Sequence, residues 1–293
     1  MPTVLMKKVA IIGPGLLGGS AALALKARDV TVHLWARRAE AAEEAVRLNI
    51  AHAAGTSLPE IVEGADTVLL CVPVGAMEAL VRQMLPHLDM DALVTDVGSV
   101  KGTVVQALAP LLEGRALFVG SHPMAGSEKA GISHARADLF AGATCIVTPQ
   151  DSHPRPAEHA RAVERARTLW EDLGGRVALL GPHEHDRVCA LISHMPHLLA
   201  AVLVNAVEKA APEAFAYSGP GFRDTTRVAA GLPGMWREIL CSNRDAVLEA
   251  LDALGARLEE ARVLLRQTDD AGADALLSFL TAAKARRDTL RTG

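Results

Sequence analysis

The sequence lacks a basic excess: 30 lysines and arginines stand against 34 aspartates and glutamates, a formal net charge of −4 over 293 residues. That removes the polybasic footprint of a nucleic-acid binder. Cysteine is scarce. Cys71, Cys145, Cys189 and Cys241 are scattered in apolar contexts, and no C-x-x-C occurs. Their spacing implies neither a zinc site nor a disulfide framework, so no metal and a reducing, cytoplasmic setting are expected. The N-terminus carries no signal-peptide pattern and no long uncharged apolar run is read, so no membrane partner is expected. Internal repeats and low-complexity segments are absent. Half of the residues are hydrophobic, and the length suits two domains or one large one.

What is present is organised around residues 9–20, VAIIGPGLLGGS. A short apolar run leads into Gly13, Gly15 and Gly18, spaced G-x-G-x-x-G, and an Ala/Leu-rich stretch follows. Strand, glycine turn and helix in that order are the context that gives the spacing meaning. Gly13 permits the tight turn, Gly15 lets a pyrophosphate approach the backbone, and Gly18 lets the helix pack closely on the strand. The helix N-terminus, with Leu16 and Leu17 in its first turn, offers free N–H groups to phosphate. At the end of the next strand (30–35) an NAD site would place Asp or Glu. Here Ala36 stands there, followed by Arg37 and Arg38. Guanidinium groups suit a 2′-phosphate, so NADP is expected over NAD.

Apolar strands at 66–72, 93–97, 116–119, 144–147 and 176–180 alternate with helices at 39–48, 76–85, 104–112 and 156–173. This is the pattern of a doubly wound α/β sheet. After residue 181 the character changes. Residues 183–209 read as one long helix kinked at Pro196, 212–220 as loop, and the remainder as helices apolar on more than one face. The expected division is a dinucleotide-binding domain over 1–181 and an all-helical domain over 182–293.

Ligands of open α/β sheets sit beyond the carboxyl ends of the strands. Three clusters follow such ends: Val72-Pro73-Val74, DVGSVKG (96–102) and GSHPMAGSE (120–128). His122 lies in a glycine-flanked loop where cofactor and substrate would meet, or is a turn histidine. In SHMPH (193–197), His194 and His197 share a helix face but lack further ligands in register for a metal. His183 and His185 read as cap or surface groups. Arg223 and Arg227 are spaced to share a helix face and to clamp carboxylates, or form a solvated face.

GSHPMAGSEKAG, DVGSVK, SHMPHLLA and GPGFRDTTRVAAGLPGMW, in this order, resemble the prephenate/arogenate dehydrogenase family of tyrosine biosynthesis. The resemblance runs from Val9 to about Trp236. It implies a Rossmann domain followed by a helical dimerisation domain, and hence a homodimer, without the regulatory domain or fused mutase of some members. It implies oxidation of a cyclohexadienol, with hydride passing to a nicotinamide and the ring carboxylate leaving as carbon dioxide. On the same resemblance His122 is the catalytic histidine and Ser99 hydrogen-bonds near it. Arg227 binds a substrate carboxylate, His197 is a second substrate contact, and Glu128, Arg223 and Trp236 border the pocket. Many relatives have lysine where this chain has Arg223, while His194 is assigned to helix packing. Gly13, Gly15, Leu16, Leu17, Gly18, Arg37, Arg38, Val72 and Pro73 form the expected cofactor set. Activity on both prephenate and arogenate is expected. A β-hydroxyacid-dehydrogenase-like enzyme would need a catalytic lysine on the long helix, where this chain has His194 and His197. A non-catalytic dinucleotide-binding module would leave His122, Ser99, His197 and Arg227 unexplained.

Overall fold

A computed structural model describes residues 6–126 and 131–290. The chain forms two compact units, Met1–Asn243 and Arg244–Gly293. In the first, the strands β1 (Lys8–Ile12), β2 (Thr31–Trp35), β3 (Ala53–Gly55), β4 (Thr67–Leu70), β5 (Leu93–Asp96) and β6 (Leu117–Phe118) form a parallel sheet ordered β3-β2-β1-β4-β5-β6. The order reverses between β1 and β4, the switch point at which open α/β sheets bind ligands. The helices α1 (Leu16–Lys26), α2 (Ala39–Arg47), α3 (Leu58–Val62), α4 (Val74–Met84) and α5 (Gly102–Leu112) connect these strands. The register pairs Ile12 with both Trp35 and Leu70, and Leu70 with Asp96. Gly13, Ala36, Cys71 and Val97 therefore emerge along one edge. Both faces are covered: Val9, Ile11, Val32 and Leu34 join one buried cluster, and Ala10, Ile12, Val68 and Leu70 the other. A strand buried on both faces needs a continuous apolar run rather than alternation, which is what β1 and β4 carry.

The rest of the α/β region departs from a single doubly wound sheet. A second, three-stranded sheet holds β7 (Gly120–Pro123), β8 (Thr144–Thr148) and β9 (Arg176–Leu179), with α6 (Pro156–Asp172) between β8 and β9. β7 runs antiparallel to β8 and pairs His122 with Ile146. His122 is thus a strand residue and not part of a loop. Glycine and proline flank it as they would a turn, but pairing with an apolar partner strand overrides that local signal. β3 and α3 were absent from the expected elements because AAGTSLPEIV has too short a periodicity to register.

Beyond β9 come α7 (Pro182–Cys189), a π-helical turn at Ala190–His194, α8 (Met195–Ala210), α9 (Pro220–Thr226) and α10 (Pro233–Ser242). The expected kink at Pro196 takes the form of this π turn. Pro196 has no N–H to donate back along the helix, and the widened turn before it absorbs the missing bond. Residues 212–220 are not all loop, because Pro212–Tyr217 forms a 3-10 helix. Residues 188–207 carry no charged side chain, which corrects the expectation of no such run. The helical run Pro182–Ala210 is long and apolar enough to cross a membrane, with a mean hydropathy of 1.7 in its most apolar window. Its buried positions nevertheless include His185, Asp186, His194 and His197. The second unit is a pair of packed helices, α11 (Arg244–Arg266) and α12 (Asp270–Asp288). The Asp269 side chain caps α12 by accepting from Gly272 N–H at 2.9 Å.

Candidate active site

The site begins where β5 ends. Asp96 is fully buried, and the chain turns back on it at once: Gly98 N–H donates to Oδ2 at 2.7 Å. A Cβ on Gly98 would stand 2.8 Å from that oxygen, so the turn closes only around glycine. Ser121 N–H donates to Asp96 Oδ1 at 3.1 Å. The buried Lys101 ammonium pairs with Asp96 and donates to the Ser121 carbonyl at 2.9 Å. Burial pushes the Lys101 pKa down, against the pull of Asp96. A charge this deep is tolerable only when paired and hydrogen-bonded on all sides. The Lys101 stem passes Gly120, where a Cβ would lie 3.2 Å from its Cδ. This arrangement holds β7, and with it His122, against the end of β5.

The helix α7 supplies the other half. Lys101 N–H donates to Asp186 Oδ1 at 2.7 Å and Gly102 N–H to Oδ2 at 2.8 Å. A carboxylate here satisfies free donors at the start of α5 and meets the positive end of its dipole. Asp186 Oδ1 also lies 2.8 Å from His185 Nδ1, and His185 Nε2 lies 2.9 Å from His122 Nδ1. Burial pushes the Asp186 pKa up, but hydrogen bonds from His185, Lys101 and Gly102 outweigh it and hold the carboxyl below its ordinary value. An ionised Asp186 only accepts. His185 then carries its proton on Nδ1 and accepts on Nε2, so His122 carries its proton on Nδ1. The chain of bonds leaves a lone pair on His122 Nε2, which has no hydrogen-bond partner among the described residues. Burial, followed by the neighbouring His185, Lys101 and His194, holds His122 well below the usual histidine value. It is neutral at neutral pH. Cys189 closes the cluster, with Sγ 3.4 Å from His185 Nε2 and 3.8 Å from His122 Nδ1.

One turn on, Asn243 Nδ2 donates to His194 Nδ1 at 3.0 Å and to the Asp186 carbonyl at 2.8 Å. Burial pushes the His194 pKa down to about 4. His197 stacks on Trp236, ring centroids 3.5 Å apart and planes 11° from parallel. Gly231 admits that stack: a Cβ there would lie 2.5 Å from Trp236 Nε1 and 3.2 Å from His197 Cε1. His194 Nε2 and His197 Nδ1 are buried without hydrogen-bond partners. The residues are 1 % and 6 % exposed. A polar ligand placed here would complete the bonding of these nitrogens.

The structure thus brings His122, His194, His197 and Trp236 into one region of the first unit. Ser99 is half-buried, and its backbone lies beside the His194 ring. No hydrogen bond joins it to His122 among the described residues; His122 Nδ1 is taken by His185. Arg223 lies on α9 and Arg227 opens the 3-10 turn Arg227–Ala230, so their shared α-helical face is broken at the junction. Both are exposed, and both segments pack on α8. Glu128 lies outside the described residues. His185 is corrected from a cap or surface group to a fully buried one, whereas His183 is exposed. His185, Asp186 and Asn243 were not expected in the site, and Asp96 and Lys101 were expected only as members of the 96–102 cluster, with no role assigned to them. The signals were a carboxylate adjoining a histidine at 185–186 and the D-x-G-x-x-K spacing of 96–101.

The glycine turn separates into three physical roles. Gly13 has φ +121°, and a Cβ there would meet the Cys71 carbonyl oxygen at 2.3 Å. On Gly18 it would meet the Gly13 oxygen at 2.2 Å, whereas on Gly15 it meets nothing within 4 Å. Gly15 is the N-cap of α1 and has no side chain to cap it. An open cradle ringed by uncapped N–H groups fits a dinucleotide pyrophosphate. Leu16 and Leu17 are half-buried in the first turn of α1; Val72 is half-buried and Pro73 exposed before α4. Ala36 is buried at the end of β2, and Arg37 and Arg38 are exposed beside it.

Residues 21–179 match the family model described as prephenate dehydrogenase, nucleotide-binding domain, and residues 181–281 match prephenate dehydrogenase, dimerization domain. The chain is 38 % identical over 292 residues to a cyclohexadienyl dehydrogenase of Zymomonas mobilis subsp. mobilis, covering 98 % of this chain and 97 % of the relative. It superimposes on the crystal structure of prephenate dehydrogenase from A. aeolicus in complex with hydroxyphenyl propionate and NAD+ with a TM-score of 0.88. That pair is 32 % identical, and the match covers 97 % of this chain and 98 % of the other. Synechocystis arogenate dehydrogenase gives a TM-score of 0.78 at 28 % identity, covering 96 % and 99 %. The two family models together match most of the chain, the similarity to these relatives runs along almost its whole length, and the protein belongs to the prephenate/arogenate dehydrogenase family of NAD(P)-dependent oxidoreductases.

Proposed function

We propose that His122 Nε2 accepts the ring-hydroxyl proton as prephenate or arogenate is oxidised and decarboxylated. The observation that carries this is the hydrogen-bond chain from Asp186 through His185 to His122, which leaves that nitrogen an acceptor. A neutral, buried imidazole is fully in its basic form at neutral pH. As it takes the proton, the new charge is met through His185 by the Asp186 carboxylate. When bound in the Gly15 cradle, a nicotinamide cofactor supplies the hydride acceptor. Ser99 orients the substrate hydroxyl, Arg227 holds a substrate carboxylate, and His197, stacked on Trp236, offers its unpaired nitrogen to the substrate. Arg223 and Glu128 border the pocket. Both substrates are accepted.

We further propose that Arg37 and Arg38 give NADP the advantage over NAD, since Ala36 presents no carboxylate to repel a 2′-phosphate. We place the functional boundary at 181/182, close to where one family model ends at residue 179 and the next begins at 181. The helical part forms a homodimer through the apolar side of the Pro182–Ala210 run, which exposes Leu191, Ile192, Leu199 and Val202. Four free cysteines suit a cytoplasmic setting. The test of the central reading is His122→Asn. Turnover of prephenate and arogenate, followed by absorbance of the reduced cofactor, should fall by about two to four decades with cofactor affinity unchanged. Near-native turnover in a folded variant refutes it.

A further inference from the structure

The catalytic cluster also has the makings of a metal site. His122 Nδ1, His185 Nε2 and Cys189 Sγ are mutually 2.9, 3.4 and 3.8 Å apart. All three residues are buried, and these atoms lie close enough together to share one ion. Tetrahedral zinc with ordinary bond lengths spaces two nitrogens by about 3.3 Å and a nitrogen and a sulfur by about 3.6 Å. The present spacings lie within half an ångström of that, so a point about 2 Å from all three atoms exists. The surroundings suit an ion as well. Asp186 Oδ1 stands 2.8 Å behind His185 Nδ1, the carboxylate–histidine arrangement that orients metal-binding imidazoles. One thiolate and that carboxylate balance the charge of a divalent cation, while Lys101 is already neutralised by Asp96.

We propose that His122, His185 and Cys189 form an inhibitory site for zinc or a similar thiophilic divalent ion, with a water in the fourth position. Binding releases one proton, from the Cys189 thiol. It releases none from the imidazoles: the proton on His122 Nδ1 moves to Nε2 as Nδ1 takes the metal. That shift turns Nε2 from acceptor to donor, so the ion silences the base without covering it. This inhibitory consequence rests on the role proposed for His122; the binding itself does not.

The test uses the reduced, metal-free full chain titrated with Co(II), whose thiolate complexes show a charge-transfer band in the near ultraviolet, and with Zn(II) by calorimetry. The expected result is one ion per protomer with the thiolate band. Cys189→Ser should lose the band and bind zinc at least tenfold more weakly. Cys241→Ser, at the exposed cysteine, should bind like the wild type. Zinc should inhibit the wild type in step with occupancy, a chelator should reverse it, and Cys189→Ser should need at least tenfold more zinc. A cobalt complex of the wild type without a thiolate band overturns the proposal, whatever the variants do. So does a band that survives in Cys189→Ser and vanishes in Cys241→Ser. Absence of turnover in the metal-free wild type would refute the proposed function, and the cobalt spectrum would still decide the site.

Discussion

Replacing Asp186 with Asn tests the hydrogen-bond chain at the end remote from the chemistry. The carboxylate accepts from three donors, His185 Nδ1 at 2.8 Å, Lys101 N at 2.7 Å and Gly102 N at 2.8 Å. An amide is nearly isosteric but offers one oxygen and one NH2 group. If the amide oxygen takes the Oδ2 place and keeps Gly102 N–H, the NH2 takes the Oδ1 place, leaves Lys101 N–H without its acceptor and donates to His185 Nδ1. His185 then holds its proton on Nε2 and gives it to His122 Nδ1, leaving His122 with its own proton on Nε2. The base becomes a donor. The same tautomer inversion in the serine-protease triad costs about 10⁴ in kcat; here the base lies one imidazole further away, and about 10² to 10⁴ is expected, or roughly 3–5 kcal/mol of barrier. One charge-assisted bond is also lost, worth about 1.5–3 kcal/mol of stability. The assay is steady-state turnover with each substrate across a pH series, alongside a thermal melt. The expected signature is a fall in kcat with KM for the cofactor unchanged, in a variant that remains folded with a lowered Tm. A merely structural role would lower Tm and leave the kcat of the folded fraction intact. Wild-type kcat in folded Asp186→Asn refutes the tautomer argument.

Three further outcomes follow from the geometry. His194 is buried neutral, so its lowered pKa contributes stability that is fully present above its unfolded value near 6.5 and is lost as pH falls toward its folded value of about 4; that window is worth on the order of 3 kcal/mol, and His194→Gln should flatten this part of the acid stability profile in denaturant titrations. Arg227→Ala should raise KM for prephenate tens-fold or more while the fold holds, and an unchanged KM assigns the carboxylate to another group. If Arg37 reads the 2′-phosphate, Arg37→Ala should lower kcat/KM for NADP by about tenfold and leave NAD within about twofold; better use of NAD by the wild type overturns that reading of the β2 end.

The parallel strands and the glycine turn were legible in the sequence because each rests on a local signal. Continuous apolar runs mark strands buried on both faces. The three glycines mark a turn whose space is filled by named atoms of Cys71 and Gly13. His122 was legible as a residue of interest but not as a strand residue, since its flanking glycine and proline speak for a turn and only pairing with Ile146 reverses that. His185 was misread for a deeper reason. A carboxylate adjoins both His183 and His185 in HEHD, so that signal marks the segment without telling a helix-start histidine that faces solvent from one fully buried against another histidine. What separates them is a partner 63 positions away, and one sequence without its contacts holds no record of that pairing.

The position of Asp186 explains how two sequence-distant regions become one site. Its side chain satisfies backbone donors at the start of α5, its Oδ1 fixes the tautomer of His185, and its carbonyl accepts from the amide that also holds His194. A helix N-terminus left without a cap would have called for water or some other polar group. Using a carboxylate from α7 instead ties the long helix to the sheet at the point where the proton-accepting ring must be aligned. The lowered pKa of Asp186 is the electrostatic trace of that tie, because donors from the sheet side and from its own helix both favour the ionised form over the penalty of burial. Stability and base orientation therefore share one carboxylate, so substitutions there should never separate a stability loss from a kcat loss, whereas substitutions at Asn243, whose side-chain amide donates to the carbonyl of Asp186 and to the ring of His194, should.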